Sequence, residues 1–262
     1  MLIEKLQPRS FDERRDLIVP GDHQTTLIYC VEHFVKLAKD AIKDHGAFYV
    51  ALSGGSTPEA IYSHLSASPY NQMIDWTKVH LFWSDERTAG PDDPESNYHM
   101  SMQAGLKKTP VPPEQIHRMQ AEEHIEENAL AYEKLIQQEL KGRPFDLIML
   151  GMGEDGHTAS LFPHTKALKE ETRLVVSNHV PQKNTWRMTF TYTLINQASH
   201  IAIYVMGQAK KQILAKVLLS PNQFDTYPIQ KIGIPKNHAL WICDELAAEG
   251  LIAQKEQKKM SS

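Results

Sequence analysis

Apolar positions recur along the chain with two alternating rhythms. From His23 to His45, the residues Leu27, Val31, Phe34, Val35, Ala38 and Ile42 return every three or four positions. That spacing puts one apolar stripe on a helix, and Gly46 is suited to end it. Ala47 to Leu52 is instead a short, nearly continuous apolar run with aromatic and β-branched residues, as expected of a strand buried on both faces. Ser53-Gly54-Gly55-Ser56-Thr57-Pro58 interrupts it. Pro58 suits the first turn of a helix reaching about Leu65, with Ser56 or Thr57 as its cap.

The alternation continues. Val79 to Trp83 reads as a strand, Ser84 to Ser96 as a polar loop, and Asn97 to about Leu106 as a helix. Ile125, Ala129, Tyr132, Ile136 and Leu140 line one side of a helix spanning Glu122 to Leu140, which Gly142 and Pro144 end. Further strands are expected at 145–150, 174–176, 201–205 and 239–243, with a helix over 208–219. Strands alternating with helices predict an α/β fold, a Rossmann-like, mainly parallel sheet flanked by helices on both faces. No fixed-period repeat and no low-complexity linker divides the chain, so a single domain over 1–262 is expected, with 254–262 as a frayed polar tail.

Composition narrows the classes. Hydrophobic residues make up 41% of the 262, an ordinary globular share that excludes a disordered or collagen-like chain. Twenty-eight basic against 32 acidic residues leave a net charge of -4, which argues against nucleic acid as a partner. Two cysteines, Cys30 and Cys243, cannot make a disulfide framework and suit a reducing compartment. Met1 to Ser10 lacks the apolar core of a signal peptide, and no run reaches the length of a membrane span. The expected location is the cytoplasm, with no membrane and no obligate protein partner.

In open α/β sheets, ligands bind beyond the carboxyl ends of the strands. Three loops follow strands directly: 53–58, 84–87 and 151–157. In the first, Gly54 and Gly55 permit close backbone approach. The helix after them offers unpaired N–H groups and a positive dipole end, and Ser53, Ser56 and Thr57 add donors. This suits a phosphate monoester, although it also suits a plain capped turn. The Walker A spacing and its lysine are missing. In the second loop, Arg87 could polarise a carbonyl oxygen or hold an anion, although taken in isolation the charged triplet Asp85-Glu86-Arg87 after Ser84 reads rather as a solvated salt-bridge cluster. The third carries Gly151-x-Gly153-x-x-Gly156, a literal dinucleotide fingerprint. Pro163 interrupts the expected helix, however, and no acid ends the next strand. Its alternative is chemical: His157 as a general base, oriented by Asp155. The chain has 13 histidines but no His-Glu-x-x-His, paired Cys-x-x-Cys or Gly-x-Ser-x-Gly. Neither a metal nor a serine nucleophile is expected, and an activated water is preferred.

Together these segments resemble a known family. Leu52 to Pro58, Ser84 to Arg87, and Gly151-Met152-Gly153-Glu154-Asp155-Gly156-His157-Thr158-Ala159-Ser160-Leu161-Phe162-Pro163 are similar to 6-phosphogluconolactonases. So are Arg187 to Thr191, Ile195-Asn196 and Gly207 to Lys210. The resemblance implies the sugar-phosphate isomerase/deaminase type of fold, and hydrolysis of 6-phosphoglucono-δ-lactone to 6-phosphogluconate in the oxidative pentose phosphate pathway, without metal or cofactor. It further implies Arg187 and Lys210 as cationic phosphate partners beside the 53–57 loop, Asn97 in the pocket, and His157, Asp155 and Arg87 as the catalytic set. The segment 181–186 departs from the family's proline-rich pattern. Glucosamine-6-phosphate deaminases share the fold, but their motif continues after the histidine as Ile-Ala-Phe-Asn-Glu-Pro. Here 158–163 contains no Glu, and Arg87 stands where they carry Tyr. A non-catalytic sugar-phosphate sensor on the same fold would be expected to lose His157 or Arg87.

Overall fold

The computed structural model describes residues 1–251; the tail expected at 254–262 lies outside them. In chain order the strands are β1 (Arg9–Ser10), β2 (Arg15–Ile18), β3 (Phe48–Leu52), β4 (Val79–Trp83), β5 (Asp85–Arg87), β6 (Leu147–Gly151), β7 (Val175–Val180), β8 (Thr185–Phe190), β9 (Ile201–Val205) and β10 (Ala239–Cys243). The helices are α1 (His23–His45), α2 (Ser56–Leu65), α3 (Asn97–Gln103), α4 (Ile125–Leu140), α5 (Tyr192–Ile195) and α6 (Lys211–Leu219).

Seven strands form the main sheet in the order β1-β2-β10-β9-β6-β3-β4. All neighbours are parallel except the short β1-β2 pair. Its inner strands are apolar on both faces and almost wholly buried, from Phe48, Val50 and Leu52 to Leu147, Ile148, Met149 and Leu150. That is the double burial expected where helices cover both sides. α1 keeps its predicted bounds: Asp22 Oδ1 accepts from Thr25 N at 2.8 Å at one end, and Gly46 closes the other at φ 90°.

From β3 the chain steps outward to β4, then returns past β3 to β6 and runs on to β9 and β10. The strand order therefore reverses between β3 and β6, which is the position where open α/β sheets leave a crevice. Because β3, β4 and β6 are parallel, the segments starting at Ser53, Ser84 and Met152 emerge at one edge.

Several local expectations change: the strand expected at 145–150 is Leu147–Gly151, the one at 174–176 is Val175–Val180, and the helix expected over 208–219 begins at Lys211 after a turn at 208–210. The stretch 84–96 is not all loop: Asp85–Arg87 is a strand of a second, antiparallel sheet, β5-β8-β7. Ser84 joins the two sheets, its N–H donating to Leu52 O and its carbonyl accepting from Phe190 N, both at 2.8 Å. The helix expected over 97–106 stops at Gln103, and the one expected from Glu122 begins at Ile125. Neither Ser56 nor Thr57 caps α2. Gly55 holds that position at φ 100°, a conformation that favours glycine, and Ser56 is already helical.

Candidate active site

A cavity of about 440 Å³ opens at the switch point. Ser53, Gly54, Gly55, Arg87, Asn97, His157 and Arg187 line it, together with Asp85, Glu95, Gly151–Gly153, Thr158–Ser160, Phe162 and Lys183. Seven of the predicted residues thus share one cavity. Asp155 contacts His157, a lining residue, while Ser56, Thr57 and Lys210 are not among the lining residues. Lys210 Nζ donates to Met152 O at 2.7 Å, so its ammonium braces the glycine loop that carries His157.

The first wall is the β3-α2 loop. The buried Tyr62 hydroxyl accepts from Ser53 N at 3.0 Å and donates to Ser53 O at 2.8 Å, which clamps the loop to its own helix. Asn97 packs so closely against Gly54 that a Cβ there would overlap its amide. Since no side chain caps α2, its first N–H groups keep free donor capacity. With the dipole behind them they suit an anion.

The second wall is β5, and its alternation sorts three charged residues. Successive strand side chains point to opposite faces, so Asp85 and Arg87 face the cavity and Glu86 faces away. Glu86 is fully buried. Its carboxylate accepts from Arg87 N and Asn97 N at 2.8 Å, and from Tyr98 N and Ser96 Oγ at 2.9 Å. It therefore holds the amino end of α3. Burial pushes the Glu86 carboxyl up, against the pull of those four donors. Asp85 accepts from Ser160 Oγ at 2.6 Å and from Asn97 Nδ2 at 3.3 Å, tying the second loop to the third. The Arg87 guanidinium donates to Glu95 O.

Arg187 on β8 stands directly opposite Arg87 in the ladder. Like charges in that position repel. Burial first, and then the facing Arg87, lower the Arg187 pKa from its usual value, and its Nε is buried without a hydrogen-bond partner. Arginine remains protonated all the same, so the pair is a positively charged site with unused donors. Lys183 adds a third cation from the turn between β7 and β8. Residues 181–184 form that turn, with Asn184 at φ 46°.

The third wall is the β6 loop. His157 Nδ1 lies 2.5 Å from Asp155 Oδ1, which also accepts from His157 N at 3.1 Å. A Cβ on Gly153 would overlap the imidazole, so glycine there gives the ring its place. Phe162 stacks on the imidazole, with ring centroids 3.9 Å apart. Burial raises the Asp155 pKa, but the hydrogen bonds and charge of His157 outweigh it and hold the carboxyl below its ordinary range. With Nδ1 engaged by Asp155, Nε2 is the nitrogen left for proton transfer.

Sequence reasoning missed Lys183, Glu95 and the inward role of Asp85. For Asp85 no local signal existed, since three consecutive charges carry no alternation of apolar and polar positions. For Lys183, it lay in the hairpin that 175–190 forms.

A doubly wound α/β chain with an acid–histidine pair facing paired guanidiniums at its switch point has the architecture of an enzyme for a small anionic substrate. Comparison with known proteins narrows this. Residues 21–241 match the family described as glucosamine-6-phosphate isomerases/6-phosphogluconolactonase. The chain is 40% identical over 234 residues to a 6-phosphogluconolactonase of Chlamydia pneumoniae, covering 89% of each chain. It is 39% identical over 217 residues to one from Nostoc sp., covering 80% of this chain and 88% of that one. A solved 6-phosphogluconolactonase from Trypanosoma cruzi superposes with a TM-score of 0.79 at 27% identity, covering 94% and 99% of the two chains. The chain belongs to the glucosamine-6-phosphate isomerase/6-phosphogluconolactonase family.

Proposed function

We propose that this chain hydrolyses 6-phosphoglucono-δ-lactone to 6-phosphogluconate, as the names of its relatives state for them, with His157 activating the attacking water. The observation that carries the mechanism is the His157–Asp155 pair held across one cavity from Arg87 and Arg187.

The 6-phosphate lies on the Ser53–Thr57 loop, where the backbone N–H groups of Gly54 to Thr57 and the α2 dipole receive it. Arg187 and Lys183 supply positive charge toward it, and Lys210 steadies Met152 beside it. His157 Nε2 takes a proton from water as the water oxygen bonds to the lactone carbonyl carbon. Arg87 donates to the oxygen that becomes negative. The tetrahedral intermediate then expels the ring oxygen, which receives the proton from His157 and leaves as the 5-hydroxyl; the product carboxyl ionises to solvent. Asp155 holds the imidazole in the tautomer that leaves Nε2 free, and it stabilises the imidazolium between the two transfers. A general base contributes about 10²–10⁴-fold and an oxyanion donor on the order of 10²–10³-fold. Those factors suffice for a lactone that also opens unaided. The glutamate of the deaminase motif has no counterpart: Phe162 stands at its position and stacks on His157, which supports hydrolysis over isomerisation.

The test uses lactone generated in place from glucose 6-phosphate, at slightly acid pH where spontaneous opening is slow. Wild type should accelerate hydrolysis, and His157→Ala and Arg87→Ala should each lose most of the gain. A gain that survives His157→Ala removes the proposed base. No gain with the lactone, but turnover of glucosamine 6-phosphate, replaces the hydrolase reading with the deaminase one.

A further inference from the structure

Away from the cavity, three metal-ligating side chains converge from three elements: His80 on β4, His117 after the 113–115 turn, and Glu139 on α4. Among the described residues they form the one such group, with all three ligand atoms within 4.8 Å of one another. His80 Nδ1 lies 3.4 Å from His117 Nε2 and 3.7 Å from Glu139 Oε2. Zinc–nitrogen and zinc–oxygen bonds of about 2.0–2.2 Å at tetrahedral angles place ligand atoms roughly 3.3–3.5 Å apart. The histidine pair already has that spacing. The remaining separation closes by rotation of the Glu139 carboxylate, which sits on a long, partly exposed side chain.

Each ring is packed on an aromatic neighbour, but their centroids are 5.7 Å apart and the two nitrogens face each other head-on as in a hydrogen bond, so both rings turn slightly to share an ion. His117 stacks on Phe82 with centroids 4.3 Å apart, His80 stacks on Tyr49 at 4.5 Å, and the two imidazoles lie 9° from parallel. The backbone of His117 is pinned on both sides. Its N–H donates to Leu81 O at 2.8 Å, and its carbonyl accepts from the Tyr132 hydroxyl at 2.7 Å. Burial pulls the His117 pKa down to about 4 and lowers that of His80 against the pull of Glu139.

We propose that His80, His117 and Glu139 form a binding site for a single zinc ion, with water in the fourth position. Two imidazoles and a carboxylate select a borderline d-block ion over magnesium or calcium, which prefer all-oxygen shells. The bound state needs the lone pairs of His80 Nδ1 and His117 Nε2, so any proton between them moves to the opposite ring nitrogens. His80 lies near the amino end of β4, at the sheet edge opposite the catalytic loops. The ion would cross-link β4, the connector that carries His117, and α4, which makes its role one of binding and bracing rather than turnover. No local motif announced it, because 37 residues separate the two histidines.

The full chain, stripped with EDTA, is titrated with zinc against a chromogenic chelator, and separately with cobalt(II), whose visible absorption reports tetrahedral coordination. Wild type and His157→Ala should each bind one ion and gain melting temperature with zinc. Glu139→Gln should lose affinity by about tenfold or more, and His80→Gln should lose the cobalt band and the thermal gain. The carboxylate of Glu139 is partly exposed, so Glu139→Gln keeps the fold and separates lost ligation from lost folding. Absence of stoichiometric binding in wild type, or equal binding in both His80→Gln and Glu139→Gln, overturns the proposal.

Discussion

Gly153→Ala tests the catalytic geometry without touching a chemical group. Gly153 does not need a positive φ, so its backbone accepts alanine. The new Cβ would, however, fall on His157 Nδ1 and Cε1 and lie 2.8 Å from Asp155 Oδ1. Ordinary contact between such atoms needs about 3.5 Å, so the imidazole has to retreat by more than about 1 Å. Phe162 stacks on it at 3.9 Å, so the retreat also breaks that stack. The 2.5 Å approach to Asp155 is therefore lost, and with it the aim of Nε2. A misplacement of this size costs on the order of 10²-fold in rate, about 2.7 kcal/mol of barrier. His157 is partly exposed, so the ring can swing toward solvent and the fold should lose no more than about 1 kcal/mol.

The assay is kcat and KM for freshly formed lactone, with melting temperature measured beside them. Gly153→Ala should lower kcat by about 10²-fold at nearly constant KM and melting temperature. The double variant Gly153→Ala/His157→Ala should be no slower than His157→Ala alone, because both changes disable one group. A Gly153→Ala enzyme within twofold of wild type, beside an inactive His157→Ala, would refute the described ring position. Additive losses would show that Gly153 acts through something other than His157.

Three further outcomes follow from the charges. Glu86→Gln turns one acceptor oxygen into a donor facing backbone N–H, which should cost about 2–4 kcal/mol and lower the melting temperature by roughly 5–15 °C; an unchanged melting temperature would show that Glu86 does not hold α3. Arg187→Met removes a buried, unpartnered Nε facing Arg87. The ligand-free protein should melt no lower than wild type, while kcat/KM falls on the order of 10²-fold and stabilisation by 6-phosphogluconate disappears; retained ligand stabilisation would exclude Arg187 from the anion site. Glu170 is held down to about 2, from an ordinary 4.5, chiefly by the Arg173 N–H and then by Thr172. Its stabilising contribution is complete above about 4.5 and lost as pH falls toward 2, so carboxyl NMR should show a midpoint near 2 that Thr172→Val raises; a midpoint near 4.5 would remove those hydrogen bonds.

The legibility of this chain depends on how far apart cause and effect lie in sequence. α1 was readable because its apolar stripe and its stop Gly46 act within a few residues. β3, β4 and β6 were readable because short buried strands are predominantly apolar, with His80 the polar exception in β4. The convergence of the loops after them on one cavity was readable because parallel strands bring their carboxyl ends to one edge. The second sheet was not. β5 is three charged residues, and charge ordinarily marks the surface. Here its acids are buried because they are satisfied from afar, Asp85 by Ser160, 75 residues away, and Glu86 by residues 96–98. No local pattern contains those partners.

Those hidden pairings explain why the charged triplet works as a unit. Asp85 and Arg87 share the cavity face of β5, so whatever fixes Asp85 also fixes the origin of Arg87. Asp85 holds Ser160, in the segment following His157, and Asn97, which packs on Gly54. One buried carboxylate thus binds the segment after His157 directly and reaches the Gly54 loop through Asn97. Glu86, on the opposite face, anchors the amino end of α3 and so fixes where Asn97 begins. The two acids that the sequence suggests as solvated charge are the frame that sets the Ser53–Thr57 loop, Arg87 and the His157 loop in register. Their burial is tolerable because each oxygen has donors. Substituting either acid should therefore disturb substrate binding and the His157 geometry together, whereas Arg87→Ala should weaken catalysis and leave the phosphate loop in place.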